Sequence, residues 1–385
     1  MRRSGAKPSR AAVEAPGLND LSRRQLLQAG AGLALAGYGL SGCTVSRQVD
    51  RSTAGQVIKP EVDGDLLLYN WAQYMDPTLK KDFSEKYGVE VTEVNFDNLE
   101  AMVVKLRSGA QYDMIWPSTE YVARLAAEGL LAKFDSNLLR NIDGVSDFYD
   151  QGWWDPNNEY SVPYTYYTTG ICWREDEVSG MTGSWNDLLN PDGAGRMFIL
   201  DDFQEAIGEA NLINGFDLNT EIPEELEVSK ATLLEQKELA RGFSTNSVQN
   251  LVSGSAVIHQ AWNGDIVNVR NQVEEPELYQ YETCEEGVPV GTDFMCIPVN
   301  ARSPGTAMLF MDWIIDPENS ARNVRWNGYP QPCDGAKEQF AELVKDTPSI
   351  DVDLEAIADS ALEYRLDDPD SRRLWTDVFT EVKAS

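Results

Sequence analysis

Short apolar runs alternating with amphipathic stretches open the body of this chain, and that alternation leaves few folds available. Leu66-Leu67-Leu68-Tyr69 reads as a buried strand, and Pro77 to Tyr87, with Leu79, Phe83 and Tyr87 at spacings of four, reads as an amphipathic helix stopped by Gly88. Val89 to Val94 alternates as a strand, and Leu99 to Leu106 follows as a second helix. Asp113 to Trp116 reads as a third strand and Glu120 to Ala127 as a third helix, closed by Gly129. A βαβαβ unit of this kind builds a parallel sheet with helices on its faces, so the class is α/β.

Small ligands of such sheets bind beyond the carboxyl ends of the strands. Those ends carry Asn70 to Tyr74 after the first strand and Pro117 to Glu120 after the third. The alternation resumes with a strand from Met197 to Leu200, feeding Asp201 to Glu205, and another from Ala256 to Gln260, feeding Trp262 to Asp265. Four strand ends therefore present aromatic rings and carboxylates together.

At 385 residues and 42% hydrophobic, the chain can bury two cores. Its 32 basic residues against 63 acidic ones give a net charge of −31, which excludes nucleic acid as a natural partner because phosphate is repelled. The acids are spread through every segment and Lys is scarce among the bases, as on the surface of proteins from salt-adapted archaea. In molar salt the screening length is ~3 Å, so this charge is a hydrated coat and not a steering field.

The first 42 residues read as a leader. Ser22-Arg23-Arg24-Gln25-Leu26-Leu27 precedes an apolar run from Ala29 to Leu40, a twin-arginine export signal. Leu40-Ser41-Gly42-Cys43 then resembles a lipoprotein box, so Cys43 is expected to carry lipid and hold the protein on the outer face of the membrane. The apolar run is well short of the ~20 residues that span a bilayer. Residues 43–62, polar and without periodicity, are expected to form a tether. Cys172, Cys284, Cys296 and Cys333 show no metal-ligand spacing, and their pairing is left open among three arrangements.

Tyr69-Asn70-Trp71, Tyr112-Asp113 with Pro117-Ser118-Thr119, Asp155 to Tyr164, Trp262-Asn263-Gly264 and Gly328-Tyr329-Pro330 occur in this order along the chain. In these runs it resembles the periplasmic spermidine/putrescine-binding proteins of ABC transporters, over nearly everything from Leu66 onward. The resemblance implies a type II periplasmic-binding-protein fold with the ligand cleft between two lobes, 63–168 plus 292–337 and 169–291 plus 338–385. It implies a monomer that hands a polyamine to the permease of an importer, with no cofactor, no metal and no catalysis.

A polyamine needs aromatic walls for its methylenes, and a carboxylate or ring face for each ammonium group. Carried over by the resemblance, the aromatic box is Trp71, Tyr74, Trp262 and Tyr329, the amine-binding acids are Asp202, Glu205 and Asp293, and the serine is Ser118. Asp265 matches an acid of the putrescine-preferring members. The chain departs from the family where Gly291 replaces a Trp, where Glu120 replaces a Tyr, and where Glu363 stands in for a C-terminal Gln. Gly291 is expected to leave room for a longer or bulkier chain. These acids outnumber the charges of a diamine, so either some lie outside the site or the ligand carries more than two charges.

Each residue also has a plainer reading. Asp202-Phe203-Gln204-Glu205 has the form of a helix cap, as has Asp265, and a cap is worth ~1 kcal/mol with no ligand at all. Trp153, Trp154 and Trp173 read as packing. Paired acids beside tryptophans also occur in glycosidases, but the single histidine, His259, lies in an apolar strand with no nucleophile pattern around it. The second reading of the cleft keeps the binding role for another cationic or a neutral small solute.

Overall fold

The computed structural model describes residues 49–345, 350–351, 362–366 and 368–385. The expected leader and the lipidation residue Cys43 lie outside the described residues. Among the described residues, no helix is long and apolar enough to cross a membrane.

The first unit forms as its periodicity dictates. Strands β1 (Leu66–Trp71), β2 (Val91–Phe96) and β3 (Met114–Ile115) pair in parallel in the order β2-β1-β3. Helices α1 (Pro77–Tyr87), α2 (Leu99–Arg107) and α3 (Thr119–Ala127) connect and follow them. Helix α1 begins where the Asp76 side chain accepts from the Thr78 N–H. It ends where Gly88, at φ 70°, takes the left-handed conformation that a side chain would resist. Its buried Leu79 and Phe83 face the core, where the Phe83 ring meets Phe310 edge-on at 4.9 Å.

Strand β4 (Ser161–Arg174) is long, and it changes partners midway. Ser161 to Thr168 pair antiparallel with β9 (Pro289–Cys296), whereas Thr169 to Trp173 pair with β7 (Ile258–Trp262). Beyond it lie β5 (Met197–Ile199) and β6 (Gly242–Phe243), giving the order β2-β1-β3-β9-β4-β7-β5-β6. Strand β8 (Tyr279–Glu282) adds to β4, and β10 (Leu362–Glu363) adds to β9. The remaining helices are α4 (Phe203–Ile213), α5 (Pro223–Leu239), α6 (Ser247–Val252), α7 (Asn263–Arg270), α8 (Pro304–Ile314), α9 (Pro317–Asn327), α10 (Ala336–Val344) and α11 (Pro369–Ala384). Each half thus places parallel strands beside an antiparallel crossing strand, a mixed α/β sheet.

Three expected strands end later than the apolar runs suggest. The ladder continues through Asn70 opposite Asn95, Trp71 opposite Phe96, and Thr169 opposite Trp262. Backbone pairing persists there while the side chains turn polar or aromatic to face a cleft, so periodicity fades before the strand does. The third strand is shorter than expected, and Asp113 before it bonds to its neighbours through its carboxylate, which accepts from the N–H groups of Leu67, Arg302 and Ser303.

The expected tether needs correcting over its described part. Ile58 is buried in the main core, and the Thr53 N–H and hydroxyl both donate to the Val299 carbonyl. One isoleucine and one threonine dock a segment whose average composition is that of a linker. The four cysteines, Cys172, Cys284, Cys296 and Cys333, are buried free thiols.

Candidate ligand-binding cleft

The carboxyl ends of β1 and β7 and the middle of β4 and β9 converge on one cavity of about 130 Å³. Six of the residues expected from the sequence line it: Trp71, Tyr74, Trp262, Asp265, Asp293 and Tyr329. Ala72 from the first strand end joins them, and Phe96, Asp97, Tyr167, Thr245 and Asn246, which were not foreseen, complete the wall.

The rings of Tyr74, Trp262 and Tyr329 are fixed by their polar tips. The Tyr74 hydroxyl donates to Asp293 Oδ2 at 2.7 Å and also contacts Thr165 Oγ1. The Tyr329 hydroxyl donates to Asp265 Oδ1 at 2.6 Å, and the Trp262 indole N–H donates to Glu205 Oε1 at 2.9 Å. The second oxygen of Glu205 accepts from the Tyr364 hydroxyl at 3.0 Å, and Asp265 Oδ2 also takes the Ser247 hydroxyl. Trp71 and Trp262 face each other with ring centroids 6.5 Å apart, while Tyr74 meets Tyr329 edge-on at 5.4 Å. Tyr329 reaches this position because residue 264 is glycine: a Cβ there would stand 2.4 Å from the Tyr329 ring.

Every carboxylate bond in this group comes from a neutral donor. Among the described residues, no Lys or Arg forms an ion pair with Glu205, Asp265 or Asp293, and none sits over the rings of Trp71, Tyr74, Trp262 or Tyr329. Burial without a cation penalises the charged form. It pushes Asp293 up to about 7 and Glu205 up to about 7, with Asp202 adding to the effect on Glu205. Burial raises Asp265 as well. A small cavity with ring walls and buried acids that lack positive partners is built for an organic cation.

The other expected residues lie apart from that cavity. Asp202 caps α4, its Oδ1 accepting from the Gln204 and Glu205 N–H groups at 2.9 and 3.3 Å. The helix-cap reading therefore describes what Asp202 does in this state, and Oδ2 is left for another partner. Asp265 stands three residues into α7 and accepts from the Trp262 N–H at 3.4 Å, so capping and site roles coincide there. Ser118 precedes α3 and donates to Glu120 Oε1 at 3.1 Å. Glu120, pushed up to about 7 by burial, borders a different groove between α3 and α11. Glu363 on β10 accepts from the Trp153 indole at 3.3 Å and pairs with Arg365 at 3.0 Å.

The room expected at Gly291 is absent. Gly291 is the direct cross-strand partner of Tyr167, and a Cβ on it would come within 2.2 Å of the Tyr167 ring. A ring from the neighbouring strand fills the space. The available signal was strand parity, since Tyr167 alternates in step with Thr165, which touches Tyr74. Thr245 and Asn246 sit in a polar loop before α6 that carries no such signal. His259 is buried and stacks on Phe198 at 5.4 Å, with its pKa lowered to about 4 by burial, and it does not line the cavity.

The family model of the bacterial extracellular solute-binding proteins matches residues 78–351. The spermidine/putrescine-binding periplasmic protein of Salmonella typhimurium is 27% identical over 327 residues, covering 84% of this chain and 92% of its own. The putrescine-binding periplasmic protein SpuD of Pseudomonas aeruginosa is 25% identical over 303 residues, 74% of this chain and 83% of its own. Among solved structures, a spermidine/putrescine ABC transporter substrate-binding protein of Streptococcus pneumoniae superposes with a TM-score of 0.69 at 26% identity, over 83% of this chain and 99% of that one. A putative spermidine/putrescine ABC transporter protein of Listeria monocytogenes reaches 0.77 at 23% identity with the same coverages, a likeness of fold.

Proposed function

The chain belongs to the bacterial extracellular solute-binding proteins, and from that premise we propose that it captures a polyamine of the putrescine/spermidine class outside the cell and delivers it to the permease of an ABC importer. The observation that carries this reading is the cavity lined by Asp293 and Asp265, with Glu205 bonded to the lining residue Trp262, three buried acids held by neutral phenol, hydroxyl, indole and backbone N–H donors. An entering ammonium group supplies the missing positive charge, and the methylenes lie against Trp71 and Trp262. Each ring face adds ~0.5–2 kcal/mol when desolvated.

Two lobes, 63–168 plus 292–337 and 169–291 plus 338–385, close on the ligand. The change of partner along β4 between Thr168 and Thr169 supports that division, and the cavity draws Trp71 from one side and Trp262 from the other. Closure buries both indoles and commits the ligand. The chain acts as a monomer, exported by the twin-arginine route, held by lipid on Cys43 at the outer face of the membrane and suited to high salt. The motif Leu40-Ser41-Gly42-Cys43 supports the anchor and the acidic composition supports the salt adaptation.

A thermal-shift screen in high salt tests the ligand class. Putrescine or spermidine should raise the melting temperature, since a ligand at 100 times its Kd adds ~2.7 kcal/mol. A shift only with sugars or betaines would replace the polyamine by a neutral or zwitterionic solute.

A further inference from the structure

Tyr167 and Gly291 are opposed residues of β4 and β9, and between them they decide how far the cavity extends. The Tyr167 ring projects over Gly291 so closely that a Cβ there would meet its Cζ at 2.2 Å and its hydroxyl oxygen at 2.3 Å. The glycine thus provides the volume that the ring uses. On its other side the ring packs edge-on against Trp262, with centroids 5.9 Å apart and planes at 67°, so it stands as one wall of the cavity.

Buried acids act on this ring electrostatically. Asp293 borders the cavity and Glu205 holds Trp262. Glu120 and Asp202 do not line it, although both act on the Tyr167 phenol, whose pKa is raised well above its ordinary value first by burial and then by Asp293, Glu205, Glu120 and Asp202. Without the ring, the cavity would extend over Gly291 into the volume that the phenol now fills.

We infer that Tyr167 limits the length of the ligand: its ring closes the cavity above Gly291, so the cleft selects a short diamine over a longer triamine. This rests on the polyamine reading of the cleft. A triamine would have to displace the ring or leave one ammonium group outside, whereas a diamine satisfies Asp265 and Asp293 within the cavity. The Tyr167 hydroxyl is secondary to the ring, because the wall is made by volume.

Calorimetric titration of the full chain with putrescine and with spermidine, at constant high salt, tests this in the wild type and in Tyr167→Ala, Tyr167→Phe and Gly291→Ala. The wild type should prefer putrescine by roughly tenfold or more, the scale on which a tight apolar pocket discriminates chain length. Tyr167→Phe should keep that preference. Tyr167→Ala should lose it by gaining spermidine affinity, and Gly291→Ala should do the same by driving the ring aside. Adding Gly291→Ala to Tyr167→Ala should change little more, as expected for two residues acting through one contact. An unchanged preference in Tyr167→Ala, or a wild-type preference for spermidine, would overturn the length limit while leaving the polyamine reading intact. A wild type that binds neither amine would remove the polyamine reading and the length limit with it.

Discussion

The Tyr74 hydroxyl and the Asp293 carboxylate lie 2.7 Å apart, a neutral donor on a buried acid with which no Lys or Arg among the described residues forms an ion pair. This relationship recurs at Tyr329 and Asp265 and at Trp262 and Glu205. It defines the cleft as a place where negative charge is disfavoured until a cation arrives.

Proton release should therefore accompany binding. Asp293 and Glu205 are raised from their ordinary 3.8 and 4.5 to about 7, so between those values the empty folded protein holds protons that the unfolded chain has lost. Stability of the ligand-free form should fall as pH rises from about 4 to 7, by ~1 kcal/mol per unit for each such group, and level off above 7. Affinity for an amine should run the other way, rising with pH over the same window. Calorimetry in two buffers of different ionisation enthalpy measures the protons released; a value of zero at pH 6 would contradict this.

Asp293→Asn should weaken putrescine binding by at least ~1.5 kcal/mol, since a charge-assisted bond in a desolvated site is lost while Tyr74 keeps a partner. Melting temperature of the empty protein should hold or rise, because the raised acid no longer has to be buried. Equal affinities for wild type and variant would place the amine elsewhere.

Asp202 gives a different expectation. Its Oδ1 holds the first turn of α4, so Asp202→Ala should cost ~0.5–2 kcal/mol of stability, whereas Asp202→Asn, an equally good cap, should retain it. Denaturant unfolding separates the two; matching losses in both variants would show that the charge and not the cap matters.

Gly264→Ala should displace Tyr329, because the added Cβ would lie 2.4 Å from its ring. The expected cost is ~1–3 kcal/mol from overpacking, together with loss of the Tyr329–Asp265 bond and of amine affinity. Full retention of both stability and binding would mean that Tyr329 is not a fixed wall.

Much of this cleft was legible before any coordinates. Trp71, Tyr74, Trp262, Asp265, Asp293 and Tyr329 were expected from the family resemblance and all six line the cavity, whereas Ser118, Glu120, Asp202, Glu205 and Glu363, also expected, do not. Tyr167 was hidden because the motif comparison pointed to the residue lost at 291, while the filling side chain comes from the partner strand, a pairing that only register reveals. The docked position of Ile58 escaped for a related reason: a single buried side chain in a polar segment leaves no periodic trace.

The most direct measurement compares putrescine with butanediol, a chain of the same length without charge, by titration at constant high salt and pH 8. Capture by buried acids and ring faces predicts that putrescine binds and quenches or shifts tryptophan emission as Trp71 and Trp262 are enclosed, while butanediol does neither. Equal affinity for the two, or binding of butanediol alone, would contradict recognition of a cation in this cleft.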